Sequence, residues 1–385
     1  MIKEIKQEFT DRFGKEPEHI FFSPGRVNLI GEHIDYNGGK VMPCAISSGT
    51  YLAINKNADK RFRFQCLNFP ETAELHLQGS YSKTGKQWFN YPLGVINYLL
   101  KQGHSFSGLD MLFYGNLPVG AGLSSSASIE VVTAYALNEI FQLKISKPDI
   151  AVFCKDVENE FIGVNCGIMD QFAVAMGKKD KAILLNCDSL EHQYIPFEIN
   201  EYLLVVINTK KERALVGSKY NERFAECGEA LKLLKPKLKI QNLCELDVKT
   251  FELNKQLIKD PIIQKRALHV ISENERVNQA TTALKKNDLS AFGKLMYASH
   301  QSLKELYEVT GKELDTIVEF CKTFGGCIGV RMTGAGFGGC AIALIKKESF
   351  NDLANKLVPF YKEKIGYEPE IFSSNAEDGV KEIKL

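Results

Sequence analysis

The eleven residues Pro118-Val-Gly-Ala-Gly-Leu-Ser-Ser-Ser-Ala-Ser128 leave the chain few local conformations. An alternating run, Leu109 to Tyr114, enters them and reads as a strand, and a helix-length segment, Ala127 to Phe141, leaves them. Gly120 and Gly122 permit a tight turn that a side chain would block. Ser124, Ser125 and Ser126 then fall where a helix starts, with hydroxyls able to cap its free N–H groups. Unpaired amides and the positive end of a helix dipole together favour an anion. A phosphate chain suits such a turn, and a serine hydroxyl in it can ligate Mg²⁺. The plainer alternative is a strand turned into a capped helix with no ligand. No Gly-Lys-Ser/Thr follows, so this is not a Walker A loop, and Ser125 stands where a dinucleotide fingerprint needs its third glycine.

A second dense stretch lies upstream, after the short strand-like segment Ile20 to Pro24. Gly25 to Gly39 carries Arg26, Asn28, Glu32, His33, Asp35, Tyr36 and Asn37 among four glycines. Carboxylates, amides and imidazole accept and donate hydrogen bonds along fixed directions, which suits a small polyol. Val27, Leu29 and Ile30 interleave and would bury one side of this loop.

The rest of the chain reads as alternating α and β segments. Ile2, Ile5, Phe9 and Phe13 share one helical face. Tyr51–Asn55 and Arg61–Leu67 alternate as half-buried strands. Trp88 and Tyr91 are three apart, which on a helix is one face, and their rings could stack a base or serve only as packing. Helical patterns cover 147–163, 216–234, 261–286, 289–307 and 313–323. Segments 181–186 and 202–208 read as strands, and 235–260 has no clear pattern. Asp170 and Gln171 stand among Ile168, Met169, Phe172 and Val174, and a carboxylate in apolar company is costly unless paired or working. The rival reading of Asp170 is a helix cap. Gly334, Gly336 and Gly339 match Gly-x-Gly-x-x-Gly by letter, but a strand, Cys340 to Ile345, follows them instead of a helix. A glycine hairpin approaching a ligand fits better than a dinucleotide site.

At 385 residues the chain is long enough for two domains, here placed at 1–187 and 188–385. A net charge of +1 advertises neither nucleic acid nor an anionic membrane. The ten cysteines form no Cys-x-x-Cys pair, and the start, Met1 to Phe9, lacks a signal-peptide core. The expectation is a cytoplasmic protein with free thiols, a monomer or weak homo-oligomer, whose partners are small molecules.

Taken together, these stretches resemble the kinase superfamily named for galactokinase, homoserine kinase, mevalonate kinase and phosphomevalonate kinase (GHMP). Pro118–Ala127 is similar to its phosphate-binding motif and Gly334–Gly339 to its C-terminal glycine motif. Gly25–Gly39 is similar to the long galactokinase signature, and Cys166-Gly-Ile-Met-Asp-Gln171 matches the same branch. Ile34 departs from it, standing where that branch usually has threonine.

The resemblance implies an α+β, two-domain fold with the active site in the interdomain cleft. It implies transfer of the γ-phosphoryl group of ATP to the C1 hydroxyl of α-D-galactose. Glu32, His33, Ile34, Asp35, Gly167, Asp170 and Tyr220 would line the sugar. Trp88 and Tyr91 would flank the adenine, and Gly120, Ala121, Gly122, Leu123, Ser124, Ser125 and Ser126 would wrap the phosphates. Ser126 and Glu158 would hold Mg²⁺, and Arg26 and Asp170 would be the catalytic pair. A kinase of N-acetylgalactosamine or arabinose, or a non-catalytic sensor of galactose and ATP, fits the same motifs.

Overall fold

Alternation becomes strand where one face can be buried: along Arg61–Cys66, Phe62, Phe64 and Cys66 are buried and the intervening side chains are partly exposed. The computed structural model describes residues 1–118, 120–212 and 216–384, and so leaves Val119 of the serine turn undescribed. In chain order its strands are β1 (His19–Asn28), β2 (Lys40–Val41), β3 (Pro43–Asn57), β4 (Arg61–Cys66), β5 (Ala73–His76), β6 (Gly108–Gly115) and β7 (Lys181–Asn186). They continue with β8 (His192–Pro196), β9 (Tyr202–Asn208), β10 (Cys327–Thr333), β11 (Cys340–Lys346), β12 (Glu370–Ser374) and β13 (Lys381–Ile383).

Among the described residues three sheets result, ordered β13-β1-β3-β6-β4-β5, β10-β11-β9-β12 and β2-β7-β8. Pairing is antiparallel except between β4 and β6. The helices Ser125–Phe141 and Met169–Met176 pack against β1 and β3, and the helices Leu289–Ser302 and Gly311–Thr323 pack against β10. One hydrophobic cluster runs from Phe21 through Val206 and Leu344 to Val380, so both ends of the chain share a core. The helix Ile2–Phe13 covers the opposite face of the large sheet with Ile5 and Phe9, against Ile20, Phe22 and Leu112. Truncating a buried aromatic such as Phe9 to alanine costs about 3–5 kcal/mol. No helix among the described residues is long and apolar enough to cross a membrane.

Several sequence expectations need adjustment. The first strand runs on to Asn28, so Arg26 and Asn28 lie on β1 instead of in a loop. Its register against β3 shifts between Pro24 and Arg26. A Cβ at Gly25 would stand 2.6 Å from the Leu123 carbonyl oxygen, which is why the strand can pass so close to the serine turn. Trp88 precedes the helix Asn90–Lys101, so it and Tyr91 do not share a helical face. The pattern at 147–163 is an α-helix, Lys147–Asp156, continued by a π-helical turn, Val157–Ile162. β2, β8 and β13 are short or polar and gave no pattern; β13 pairs with β1. The division placed at residue 188 falls in the connection between the paired strands β7 and β8.

Candidate active site

The serine turn takes its shape from three left-handed residues, Gly120 (φ 70°), Gly122 (φ 77°) and Ser124 (φ 64°). A left-handed non-glycine residue is strained, and such strain gathers at working sites. Ser124 does not cap the helix that follows. Its hydroxyl donates instead to Asp170 Oδ2 at 2.6 Å. A helix's first N–H groups have no intrahelical partner, so those of Ser125–Phe141 remain suited to an anion. Ala121 and Leu123 are buried, which anchors the turn.

Asp170, in the first turn of the helix Met169–Met176, is gripped from β1. Arg26 Nε donates to Oδ1 at 2.9 Å and Nη2 to Oδ2 at 2.8 Å, a forked pair, while Nη1 donates to the Gly122 carbonyl at 2.9 Å. The Arg26 side chain is 5% exposed and that of Asp170 28%, so the carboxylate is the member that can meet a ligand. Arg26 thus ties the turn, the strand and the acid together. Asp170 is not a helix cap; its oxygens receive Arg26 and Ser124.

Around these residues lies a polar cavity of about 400 Å³, lined by Arg26, Glu32, His33, Asp35, Glu158, Gly167, Asp170 and Tyr220, with Asn165, Cys166, Asn221, Gly334 and Ala335 among the others. Asp35 presses on the Gly167 backbone: a Cβ there would stand 2.0 Å from Asp35 Oδ2. Burial, with the charges of Asp170 and Glu32, pushes the Asp35 carboxyl up to about 7. Burial pulls His33 down to about 3, so its ring is neutral. Its Nε2 faces the Ala335 carbonyl at 3.2 Å, which makes that nitrogen the donor, and its Nδ1 accepts from the Tyr36 hydroxyl at 2.9 Å. Both ring nitrogens therefore have protein partners. The Tyr220 ring lies tilted against His33 and edge-on to Tyr36. Ile34 is the exception among the expected residues. It is fully buried in the core, with Cγ1 against Gly39, because the apolar side of this loop has to be covered.

Glu158, on the π-helical turn, is buried and accepts from Gln171 Nε2 at 2.6 Å. Burial and then the charge of Asp170 push it up to about 7, against hydrogen bonds from Ser126 and Gln171. Ser126 faces the other way as well, into an aromatic cavity of about 200 Å³ lined by Trp88, Tyr91, Phe69, Phe113, Leu117, Ser125 and Ile129, among others. The Trp88 indole N–H donates to the Glu71 carbonyl at 2.8 Å, which fixes the ring, and Phe113 packs edge-on against it. Trp88 and Tyr91 thus reach one cavity without sharing a helix face. Ser125 and Ser126 line this cavity, and Ser124 holds Asp170, which lines the polar one.

Sequence reasoning missed the groups that hold this arrangement. Arg331 on β10 pairs with Glu32, Nη1 to Oε2 at 2.7 Å. Gly334 N–H donates to Glu32 Oε1 at 2.7 Å, and Thr333 Oγ1 accepts from Asn28 N–H at 2.9 Å. The signal for Arg331 was a lone cation in the run Gly325–Ile345, beside the glycine turn. Glu130, five residues into the helix after the serine turn, is fully buried, and burial followed by the charge of Glu158 pushes its carboxyl up.

Comparison with known proteins places these features in a class. The models for the GHMP kinases N terminal domain and the GHMP kinases C terminal domain match residues 90–178 and 280–362. A mevalonate kinase of Methanococcus jannaschii shares the fold, with a TM-score of 0.68 at 23% identity over 94% of this chain and 99% of that one. The fold is that of the GHMP kinases.

Within that class the match narrows. The galactokinase galactose-binding signature matches residues 7–56. A galactokinase of Clostridium tetani is 49% identical over 99% of this chain and 98% of its own, and one of Enterococcus faecalis 48% over 98% and 99%. The crystal structure of Lactococcus lactis galactokinase complexed with galactose superposes with a TM-score of 0.97, at 41% identity, covering 99% of this chain and all of that one. The chain belongs to the galactokinase family.

Proposed function

We propose that this protein transfers the γ-phosphoryl group of ATP to the C1 hydroxyl of α-D-galactose, giving galactose 1-phosphate and ADP. The observation that carries the reading is the position of Asp170. It is held by Arg26 and by Ser124 of the serine turn, and it opens onto the polar cavity beside that turn. A sugar seated among Glu32, Asp35, Gly167 and Tyr220 would bring a hydroxyl to Asp170, and a nucleotide between Trp88 and Tyr91 would lay its phosphates along Gly120–Ser126.

Phosphoryl transfer needs alignment and charge neutralisation more than covalent help from the protein. Asp170 takes the proton of O1 as the O1–P bond forms and the bond from Pγ to the bridging oxygen breaks, with ADP leaving. Arg26 orients Asp170 through its forked pair and offsets charge on the transferring group. His33, neutral and fixed by Tyr36 and Ala335, walls the pocket without adding charge.

Mg²⁺ fits the donors present. The Ser126 hydroxyl and the Glu158 carboxylate are hard oxygen ligands that touch each other. Burial beside Asp170 leaves Glu158 short of positive charge, a deficit a divalent cation corrects. When bound, Mg²⁺ would neutralise phosphate oxygens during transfer. Ser126 and Glu158 would hold it, with Gln171 fixing the carboxylate.

ADP release should be measured with galactose, N-acetylgalactosamine, arabinose and glucose, with and without Mg²⁺. Turnover is expected with galactose and Mg²⁺, and loss of it without the metal. Preference for another of these sugars would reassign the substrate, and galactose binding with no ADP from any sugar would mark a sensor.

A further inference from the structure

We propose that Arg331 is a positioning residue for the sugar, acting through Glu32 from the far side of the cleft. The inference rests on the reading above that Glu32 meets the sugar. Arg331 is fully buried on β10, and its Nη1 meets both Glu32 Oε2 and the Asn28 carbonyl at 2.7 Å. Asn28 Nδ2 also donates to Glu32 Oε2, at 3.2 Å, and Gly334 N–H donates to Oε1. A carboxylate offers about four acceptor positions, so three are taken and about one is left, on a residue that lines the polar cavity.

Arg331 is itself fixed from behind. Its Nε donates to Ser299 Oγ at 3.2 Å, and that hydroxyl donates to Glu273 Oε1 at 2.6 Å. Burial pushes Glu273 up, but Arg276, His269 and Arg331 outweigh it and hold the carboxyl at about 2. Glu273 also accepts from Gly31 N–H at 2.9 Å, one residue before Glu32. Arg331 therefore stands between two carboxylates that grip the same loop.

Stability alone does not explain an arginine here. Buried ion pairs are often no better than well-packed apolar side chains. Arg331 Nη2 moreover has no hydrogen-bond partner among the described residues. What the guanidinium does supply is orientation: it fixes the Glu32 carboxyl, and its charge works against the burial that raises that acid.

Four variants test this: Arg331→Lys, Arg331→Met, Glu32→Gln and the Arg331→Met/Glu32→Gln pair. Each is read for galactose KM, ATP KM, kcat and the rise in Tm on adding galactose. Glu32→Gln and Arg331→Met should both raise galactose KM by about ten- to a hundredfold while ATP KM stays within about twofold. Arg331→Lys, which keeps the charge but not the geometry, should fall between Arg331→Met and wild type. The double variant should melt above Arg331→Met, since no buried charge is left alone, yet keep the raised galactose KM. Recovery of galactose KM in the double variant, or equal rises in both KM values, would make Arg331 merely structural and overturn the proposal. If Arg331→Met does not fold, Arg331→Lys decides: an unchanged galactose KM and Tm rise overturns the proposal. Glu32→Gln raising KM while neither arginine variant does would overturn the proposal and leave Glu32 as a sugar contact. An unchanged galactose KM in Glu32→Gln would instead remove Glu32 from the sugar site, and the proposal with it.

Discussion

The two cavities on either side of the serine turn are built on opposite principles. The polar one gathers Arg26, Glu32, Asp35, Glu158 and Asp170, and several of their polar atoms already have protein partners. The other is walled by Trp88, Tyr91, Phe69 and Phe113, with no Asp, Glu, Lys or Arg among its described lining residues. A site with its hydrogen bonds assigned in advance rejects a ligand whose hydroxyl points the wrong way, because a buried partner is left unpaired. An aromatic slot grips any flat ring and discriminates less. The contrast teaches where selectivity should reside: sugar choice in a prearranged network, nucleotide affinity in stacking and in the turn's amides.

The sharpest way to break this comparison is at its junction. Asp170→Asn should fold, keep both ligands and lower kcat by about 10²–10⁴-fold. Near-normal ADP release from that variant would remove Asp170 from the chemistry. Next, Gly167→Ala puts a methyl 2.0 Å from Asp35 Oδ2. Overpacking of that kind should raise galactose KM by about five- to a hundredfold with ATP KM unchanged. A rise in both would mean that the two cavities are not independent. Trp88→Ala should do the reverse, raising ATP KM by about five- to tenfold through lost stacking and leaving galactose KM alone. An unchanged ATP KM would confine Trp88 to packing.

The smallest effect is on pH. Asp35 and Glu158, both raised to about 7, favour the folded, ligand-free protein when protonated. Their contribution is complete below about pH 4, the ordinary carboxylate range, and is lost as pH rises through 7. Compared with an Asp35→Asn/Glu158→Gln variant, the wild type should lose at least a few degrees more of Tm between pH 5 and 8, since each raised carboxyl gives up about 1.4 kcal/mol per pH unit until pH reaches its folded value. Galactose with Mg²⁺ and a nucleotide should shrink that loss. Parallel Tm–pH curves for the two proteins would show that neither carboxyl is perturbed.

Much of this could be read from the residues themselves. The strand, glycine turn and helix around 118–128 are local, and local chemistry dictates them. Asp170 stood out because an acid among Ile168, Met169 and Phe172 demands a partner. What escaped is long-range. Ser124 looked like a cap, and only the approach of the helix Met169–Met176 gives its hydroxyl a stronger acceptor. Ile34 occupies a polar loop in sequence but a core position in space, since backbone turns decide which side faces in. Arg331 lies 299 positions beyond Glu32, and no spacing links them. β13 is three residues long, too brief for any periodicity, and exists because β1 offers it an edge.

That last pairing has a consequence for biosynthesis. Ile20 is partnered by Ile383, so the strand that carries Arg26 keeps one open edge until a segment more than 360 positions downstream has been translated. A nascent chain emerging from the ribosome would hold most of its cleft residues yet lack the closing staple, and truncation before residue 381 would leave a bare strand inviting intermolecular association.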